Sequence, residues 1–306
     1  MASANEGTRV MRETISTSRA LLTASRPLSW INTAYPFAAV YLLTTGRVDV
    51  ALVVGTLFFL VPYNLAMYGI NDVFDYESDL ANPRKGGAEG AKLPPRLHRI
   101  TLLASGLIAA PFVIALLILG AHRPMSWVVL AVSLFAVVAY SVRGLRFKEI
   151  PVLDSVTSST HFVTPALYAM ALAGTTITPP IAVTMVAFFC WGMASHAFGA
   201  VQDIVPDREA GIGSIATVLG ASKTVWFSVL LWAVAGILML LPPWPASLAA
   251  LAALPYLISA VPYLGVDDAH SGDANRAWRR FLIINYAVGF AITLLLILCA
   301  TRGLFT

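Results

Sequence analysis

The chain has 306 residues, 58% of them hydrophobic and only 12% charged, with a mean hydropathy of +0.76; an ordinary soluble domain carries about 25% charged residues. That balance excludes a water-soluble enzyme. The net charge of +4 is scattered over short polar segments, with no basic stripe and interleaved aromatics to read nucleic acid.

Residues 1–26 are polar, lack the apolar core of a cleaved leader, and read as an N-terminal tail. Charge-poor spans of about 20 residues, the length that crosses a bilayer, follow near 27–46, 50–70, 100–121 and 124–142. Residues 155–202 hold no Asp, Glu, Lys or Arg but are interrupted by Thr175-Thr176-Ile177-Thr178-Pro179-Pro180. Paired prolines lack N–H donors and clash with the preceding turn, so two helices are predicted there. The run 224–266 breaks likewise at Pro242-Pro243-Trp244-Pro245, and a last span covers 281–301. The prediction is an all-α polytopic membrane protein of nine transmembrane helices, with one domain over 27–301 and a short outer tail at 302–306. Cys190 and Cys299 fall inside apolar spans, as small packing residues.

With the N-terminus in the cytoplasm, only Arg47, Arg123 and Arg302 of the 20 Lys and Arg lie outside, the asymmetry of the positive-inside rule. Helices 2, 4, 6 and 8 then end inside. Two acidic clusters lie at such ends: Asn71-Asp72-Val73-Phe74-Asp75-Tyr76-Glu77-Ser78-Asp79 after helix 2, and Gln202-Asp203-Ile204-Val205-Pro206-Asp207 after helix 6. If helix 2 continues, Asn71, Asp75 and Asp79 fall at i, i+4 and i+8 with Asp72 beside them; Asp203 and Asp207 repeat the i, i+4 spacing. Carboxylates are costly near hydrocarbon and are kept there for a cation, a proton or a substrate. Mg²⁺ favours oxygen ligands and is commonly shared between carboxylates and substrate phosphates, so two facing clusters would hold Mg²⁺ around a diphosphate. The alternative is a pair of solvated helix ends, which two spaced clusters on one face make the weaker reading. Tyr68-Gly69-Ile70-Asn71-Asp72 and Phe198-Gly199-Ala200-Val201-Gln202-Asp203 share an aromatic, a glycine and an amide–Asp pair. That similarity suggests two four-helix repeats plus one helix, with the site between the repeats.

The strings NDxxDxxxD (Asn71 to Asp79) and DxxxD (Asp203 to Asp207), after helices 2 and 6 of nine, resemble the UbiA superfamily of intramembrane prenyltransferases. The flanking strings NDVFDYESDLANPRKGGAEG, SSTHFVTPAL and WGMASHAFGAVQDIVPDREAGIGSIATVLG are similar, within it, to lycopene elongases of C50 carotenoid synthesis. The resemblance covers nearly all of the chain from Ser25 onward. It implies an active site opening at the cytoplasmic face of a cell membrane, with Asn71, Asp72, Asp75, Asp79, Asp203 and Asp207 as Mg²⁺ ligands. Of these, Asp72, Asp75, Asp203 and Asp207 are the expected catalytic carboxylates. Dimethylallyl diphosphate and lycopene are the implied substrates, the latter extended from C40 to C45 and C50, and other carotenoid-pathway enzymes are implied partners.

Basic side chains are expected on the diphosphate: Arg26, Arg143, Arg146 and Lys148 first, then Arg84 and Lys85. The Gly- and Pro-rich segment 82–95 reads either as a lid or as a plain solvated connection. Tyr63, Tyr68, Phe74, Tyr140, Trp191 and Phe198, near the inner ends of helices 2, 4 and 6, are candidates to stabilise an allylic cation as a group, against packing or interface roles. His196 shares the helix face of Asp203 and would accept a proton or, the preferred reading, hydrogen-bond within the bundle. Asn32, Asp154 and His161 are intramembrane polar groups with the same two readings. Two rivals stay open: a UbiA-type enzyme with a quinone, chlorophyll or haem-pathway acceptor, and an ion-coupled secondary transporter. Transporters place their carboxylates near the midplane, unlike these.

Overall fold

The computed structural model describes residues 17–81 and 92–304, and those residues are helical throughout, without strands. A helical stretch at 17–24 leads through the single turn Pro27–Ser29 into α1 (Ile31–Thr45). Then come α2 (Val50–Leu60), α3 (Pro62–Phe74), the short α4 (Tyr76–Ala81), α5 (Pro95–Leu119) and α6 (Pro124–Ser141). The second half runs through α7 (Leu153–Ala173), α8 (Pro179–Val201), short α9 (Ile204–Glu209) and α10 (Ile215–Leu219), α11 (Ala221–Leu238), α12 (Leu254–Ala260) and α13 (Asn275–Thr301). A 3₁₀ stretch, Ala246–Ala253, precedes α12 and completes its span.

Local chemistry sets these boundaries. Prolines begin α3, α5, α6 and α8, where the missing N–H is an orphan of the first turn anyway. Asp49 caps α2 by accepting from Leu52 N at 3.0 Å and also accepts from Tyr41 Oη at 3.1 Å. The expected interruption at 175–180 is present: α7 stops at Gly174 in a left-handed conformation and α8 starts at Pro179.

Seven helical segments among the described residues are long and apolar enough to cross a membrane, α2 and α3 counting as one. The protein is therefore a multi-pass membrane protein. The two remaining helices of the expected nine are α1, only 15 residues long, and α7, diluted by buried Asp154, Ser155, Thr157, Ser159, His161 and Thr164. That polar content follows from position, because α7 packs against α1, α6 and α8 at the centre of the bundle. The α7–α8 contact is close: a β-carbon on Gly192 would lie 2.4 Å from Ser159 Oγ, which donates to Phe189 O at 2.7 Å.

Two apolar cores flank this centre. One gathers Phe37, Phe58, Phe59, Tyr63 and Tyr168 from the first half and α7; the other gathers Phe198, Trp232, Tyr256 and Phe281 from the second half. Rings in each pack at centroid separations of ordinary aromatic pairs, such as 4.9 Å for Phe58–Phe59 and 5.4 Å for Tyr256–Phe281.

Candidate active site

The first acidic cluster forms where α3 gives out. The helix ends at Phe74, Asp75 adopts a bridging conformation, and α4 restarts at Tyr76. The interruption is mild, since Asp75 N donates to Asn71 O at 2.9 Å and Asp79 N to Asp75 O at 2.8 Å. The i, i+4, i+8 line of Asn71, Asp75 and Asp79 therefore survives the break. Asp72, Asp75 and Asp79 are all buried, Asp72 completely.

Buried carboxylates need partners, and the loops supply basic ones. Arg26 sits in the left-handed region at φ 51°; its Nη2 donates to Asp72 Oδ1 at 3.0 Å, and its guanidinium lies 4.2 Å above the Tyr68 ring. Arg146, also left-handed at φ 40°, pairs with Glu149, reaches Phe74 O and lies 3.6 Å from Asp75 Oδ1. Lys148 pairs with Asp75 and stands 3.4 Å from Asn71 Oδ1, which also accepts from Ser141 at 2.9 Å. Left-handed backbone at a non-glycine residue costs about 1–3 kcal/mol and persists where surroundings over-determine it; here both such arginines reach into one acidic cluster. Burial works against Arg26's charge, but Asp72, together with Tyr68 and Asp79, outweighs it, so the guanidinium holds its proton more tightly than usual. Lys148 is the opposite case: burial depresses its affinity for a proton, and Asp75 offsets this only in part.

The second cluster repeats the device at the end of α8. Asp203 N reaches Ala200 O at 3.1 Å, a tightened last turn, and Asp207 N donates to Asp203 O at 2.9 Å, so both carboxylates ride one turn of α9. Both are half-buried. Beside them, Arg208 donates twice to Thr217 O, at 2.7 and 3.1 Å, and to Asp268 at 2.6 Å. Asp268 also accepts from Ala221 N at 2.6 Å, at the start of α11.

Between the clusters lies the segment 143–154. Its first part carries Arg146 and Lys148 to the first cluster. Its second part receives the loop that follows Asp207: a β-carbon on Gly213 would lie 2.6 Å from Glu149 O, and Ile215 N donates to Asp154 Oδ2 at 2.7 Å. The first cluster and the loop that follows the second thus border one segment. Inward of it, the Tyr140 ring meets His161 and His196 edge-to-face at 5.6 and 6.4 Å. His161 Nδ1 is 3.0 Å from Tyr63 Oη, and His196 Nε2 is 3.8 Å from Asp154 Oδ2.

Not every sequence candidate joins this network. Trp191 stacks on Phe281 at 6.2 Å and Phe198 tilts against Trp232 at 5.5 Å, so both pack in the second core. Asn32 is half-buried at the start of α1, and Arg143 is exposed; neither joins the hydrogen bonds and ion pairs of the clusters among the described residues. Arg84 and Lys85, with most of the 82–95 segment, lie outside the described residues. Sequence reasoning missed Ser141 on Asn71 and the hydroxyls of Ser133 and Thr164 behind Tyr63. Small hydroxyl residues in apolar helices carry no spacing signal of their own.

Among the described residues no three His, Cys, Asp or Glu side chains gather as a ready-made metal centre. The donor set nevertheless fits a hard divalent cation: it is carboxylate and amide oxygen throughout, without sulfur. Basic side chains, in pairs with Asp72 and Asp75, supply the positive charge that these buried oxygens require.

Residues 33–287 match the model of the UbiA prenyltransferase family. The chain belongs to the UbiA prenyltransferase family. A Dietzia sp. protein, "C(50) beta-cyclic carotenoids biosynthesis protein LbtBC", is 54% identical over 274 residues, covering 89% of this prenyltransferase and 63% of that protein. The prenyltransferase thus spans less than two thirds of that relative's length. A Corynebacterium glutamicum "lycopene elongase/hydratase" is 50% identical over 279 residues, 91% of this chain and 96% of the relative. Among solved structures, a UbiA homolog from Archaeoglobus fulgidus bound to DMAPP and Mg²⁺ superposes with a TM-score of 0.63 at 17% identity, over 88% of this chain and 98% of that one. A digeranylgeranylglyceryl phosphate synthase gives 0.62 at 14%, over 94% and 99%. The fold is therefore that of UbiA enzymes.

Proposed function

We propose that this enzyme transfers dimethylallyl groups from dimethylallyl diphosphate to the ends of lycopene, C40 to C45 to C50, with Mg²⁺. Supporting the acceptor is half-identity, over nearly full length, to a relative named for lycopene elongation. Supporting the chemistry is one structural observation: the first acidic cluster and the loop that follows the second border a single basic segment, beside a buried tyrosine–histidine interior.

Asn71, Asp72, Asp75, Asp79, Asp203 and Asp207 would hold Mg²⁺, whose charge when bound would favour departure of the diphosphate. Arg26, Arg146 and Lys148, matched to carboxylates, would grip phosphate oxygens, with Arg143, Arg84 and Lys85 as further candidates; guanidinium groups suit this through their bidentate forks. The Tyr68 face already carries a cation, Arg26, and with Tyr140 it is the surface offered to an allylic cation. The terminal alkene of the acceptor attacks the allylic carbon as the C–O bond breaks, leaving a tertiary cation that loses a proton or takes water. The apolar bundle keeps water from the allylic cation before attack.

In this reading α1 and α7 complete nine transmembrane helices in one domain over 27–301. The two cores support two four-helix repeats plus one helix, and the charge asymmetry supports an N-terminus and site opening on the cytoplasmic side of the cell membrane. Incubating membranes containing the enzyme with Mg²⁺, dimethylallyl diphosphate and lycopene tests the reading. C45 and C50 carotenoids are expected; prenylation of a quinone or tetrapyrrole in their place would overturn it.

A further inference from the structure

The two aromatic cores differ in one respect: the first is sealed and the second is not. Phe37, Phe58, Phe59, Tyr63 and Tyr168 leave no surface uncovered. In the second core Trp191 is only half-buried, although rings of four helices surround it. They are Phe162 of α7 at 6.4 Å, Phe188 of α8 itself at 5.7 Å, Tyr256 of α12 at 6.0 Å and Phe281 of α13 at 6.2 Å. An indole enclosed in this way faces into the bundle, so its uncovered surface borders a crevice between helices and not the lipid outside. Phe162, Phe188 and Trp278 are half-buried beside it.

The rings along this crevice are close to parallel. Phe188 and Trp191 are inclined at 27°, Trp191 and Phe281 at 17°, and Phe281 and Trp278 at 10°, the last pair 4.7 Å apart. Carbon atoms in contact stand about 3.5–4.0 Å apart, so near-parallel rings at these wider centroid separations form offset steps that leave part of each face uncovered. The staircase ends at the second acidic motif. Trp278 rests on Gly199, where a β-carbon would lie 3.0 Å from the indole, and Asn275, one turn before Trp278, donates to Gln202, the neighbour of Asp203. Phe188 lies 11 residues before Gly199 on α8, about 16 Å at 1.5 Å per residue.

Offset, near-parallel ring faces suit a flat and rigid conjugated chain, which packs along them at little cost in conformational freedom. A flexible chain gains similar apolar burial but must give up rotamers to lie flat. We propose that the Phe188–Trp191–Phe281–Trp278 staircase seats the conjugated part of the acceptor, with half-buried Trp191 as the contact that determines acceptor specificity. This rests on the transfer reading above and adds what selects the acceptor. The reacting end of the acceptor lies toward Gly199 and the acidic motif, and its polyene runs back along α8 toward the middle of the membrane. An acyl chain of a membrane lipid is the rival occupant, and it has no conjugated plane for the rings to recognise.

The test uses the full-length enzyme in liposomes with Mg²⁺, dimethylallyl diphosphate and two C40 acceptors: lycopene, and phytoene, which has the same reacting ends but conjugation confined to a short central stretch. The wild type is expected to prefer lycopene in an equimolar mixture, read as C5-extended products by mass spectrometry. Trp191→Leu keeps an apolar side chain but loses the ring. It should raise the lycopene concentration for half-maximal transfer about fivefold, the worth of one aromatic contact, and lower the preference for lycopene by the same factor. Phe188→Leu, a milder change for the fold, should act in the same direction, and Trp191→Phe should retain most of the preference. Neither reading depends on how much folded enzyme a variant yields. Equal use of both acceptors by the wild type, or leucine variants whose half-maximal lycopene concentration is unchanged or shifts equally for both acceptors, would overturn the inference, give the crevice to lipid and leave the transfer reading standing. No C5-extended carotenoid from the wild type would overturn both.

Discussion

The two acidic motifs solve the same problem differently. At the first, Asp72 is fully buried and its charge is met by Arg26, while Lys148 and Arg146 meet Asp75; two of these three cations sit on left-handed backbone. At the second, Asp203 and Asp207 are half-buried, and their neighbour Arg208 is tied to Thr217 O and Asp268. The first motif shows buried charge pairs, and beside the second a scaffold one residue away fixes the backbone. The difference teaches where each is fragile: the first to loss of a partner's charge, the second to loss of geometry.

The largest effect is expected at Asp72. Asp72→Asn leaves Arg26 buried beside a neutral group, and breaking one side of a buried pair costs about 3–5 kcal/mol. Thermal unfolding in detergent should show that loss, and transfer should cease. Arg26→Gln added to Asp72→Asn should recover most of the stability and none of the activity, which a double-mutant cycle reads directly; additive losses would break the claim that these residues act as a pair. Chelation comes next. Removing divalent metal with EDTA should abolish transfer, and readdition of Mg²⁺ should restore it. The unfolding temperature should move little, because Arg26, Arg146 and Lys148 already pair with Asp72 and Asp75. A large drop on chelation would mean that metal, not the ion pairs, organises that motif.

This contrast marks the limit of what was legible beforehand. The acidic spacings, the helix breaks at paired prolines and the membrane class rest on local patterns, and each has its counterpart: Asp75 and Asp79 keep their ladder, and Pro179 opens α8. Long-range pairing leaves no such trace. Arg26 is 46 residues from Asp72, and Lys148 is 73 residues beyond Asp75, so the cations assigned to phosphate could not be foreseen as partners of the carboxylates assigned to metal. Nor could Trp191, which packs on Phe281, be separated from Tyr140, which meets His161 and His196, since both are aromatics near inner helix ends. The polar α7 looked like any other span until its contacts with α1, α6 and α8 put it at the centre.

A smaller effect tests the link between the motifs. Gly213→Ala would put a β-carbon 2.6 Å from the Glu149 carbonyl, a backbone atom that cannot swing aside. The loop after Asp207 must shift, at about 1–3 kcal/mol for such overpacking, and transfer should fall with it. Activity retained in full would show that the second motif does not depend on its seat against the 147–149 turn.

The smallest effect belongs to Arg208. Its pair with Asp268 is 43% and 39% exposed, and exposed pairs contribute about 0–1 kcal/mol, so Arg208→Ala should leave the unfolding temperature almost unchanged. Its geometric consequence is larger than its energy, because two hydrogen bonds to Thr217 O disappear with the ion pair. The Mg²⁺ concentration for half-maximal transfer should rise several-fold while the maximal rate is largely kept. The Ala221 N–H and then Arg208 hold the Asp268 carboxyl below its ordinary range. The clamp is therefore complete above the usual carboxylate pKa and is lost only on acidification through the lowered one. Arg208→Ala should accordingly weaken Mg²⁺ use to the same degree at every neutral pH, whereas a defect confined to acidic pH would place the control in another group. Arg208→Lys separates charge from shape: a lysine can pair with Asp268 but cannot fork to Thr217 O, so it should reproduce most of the alanine defect if geometry is what the second motif needs.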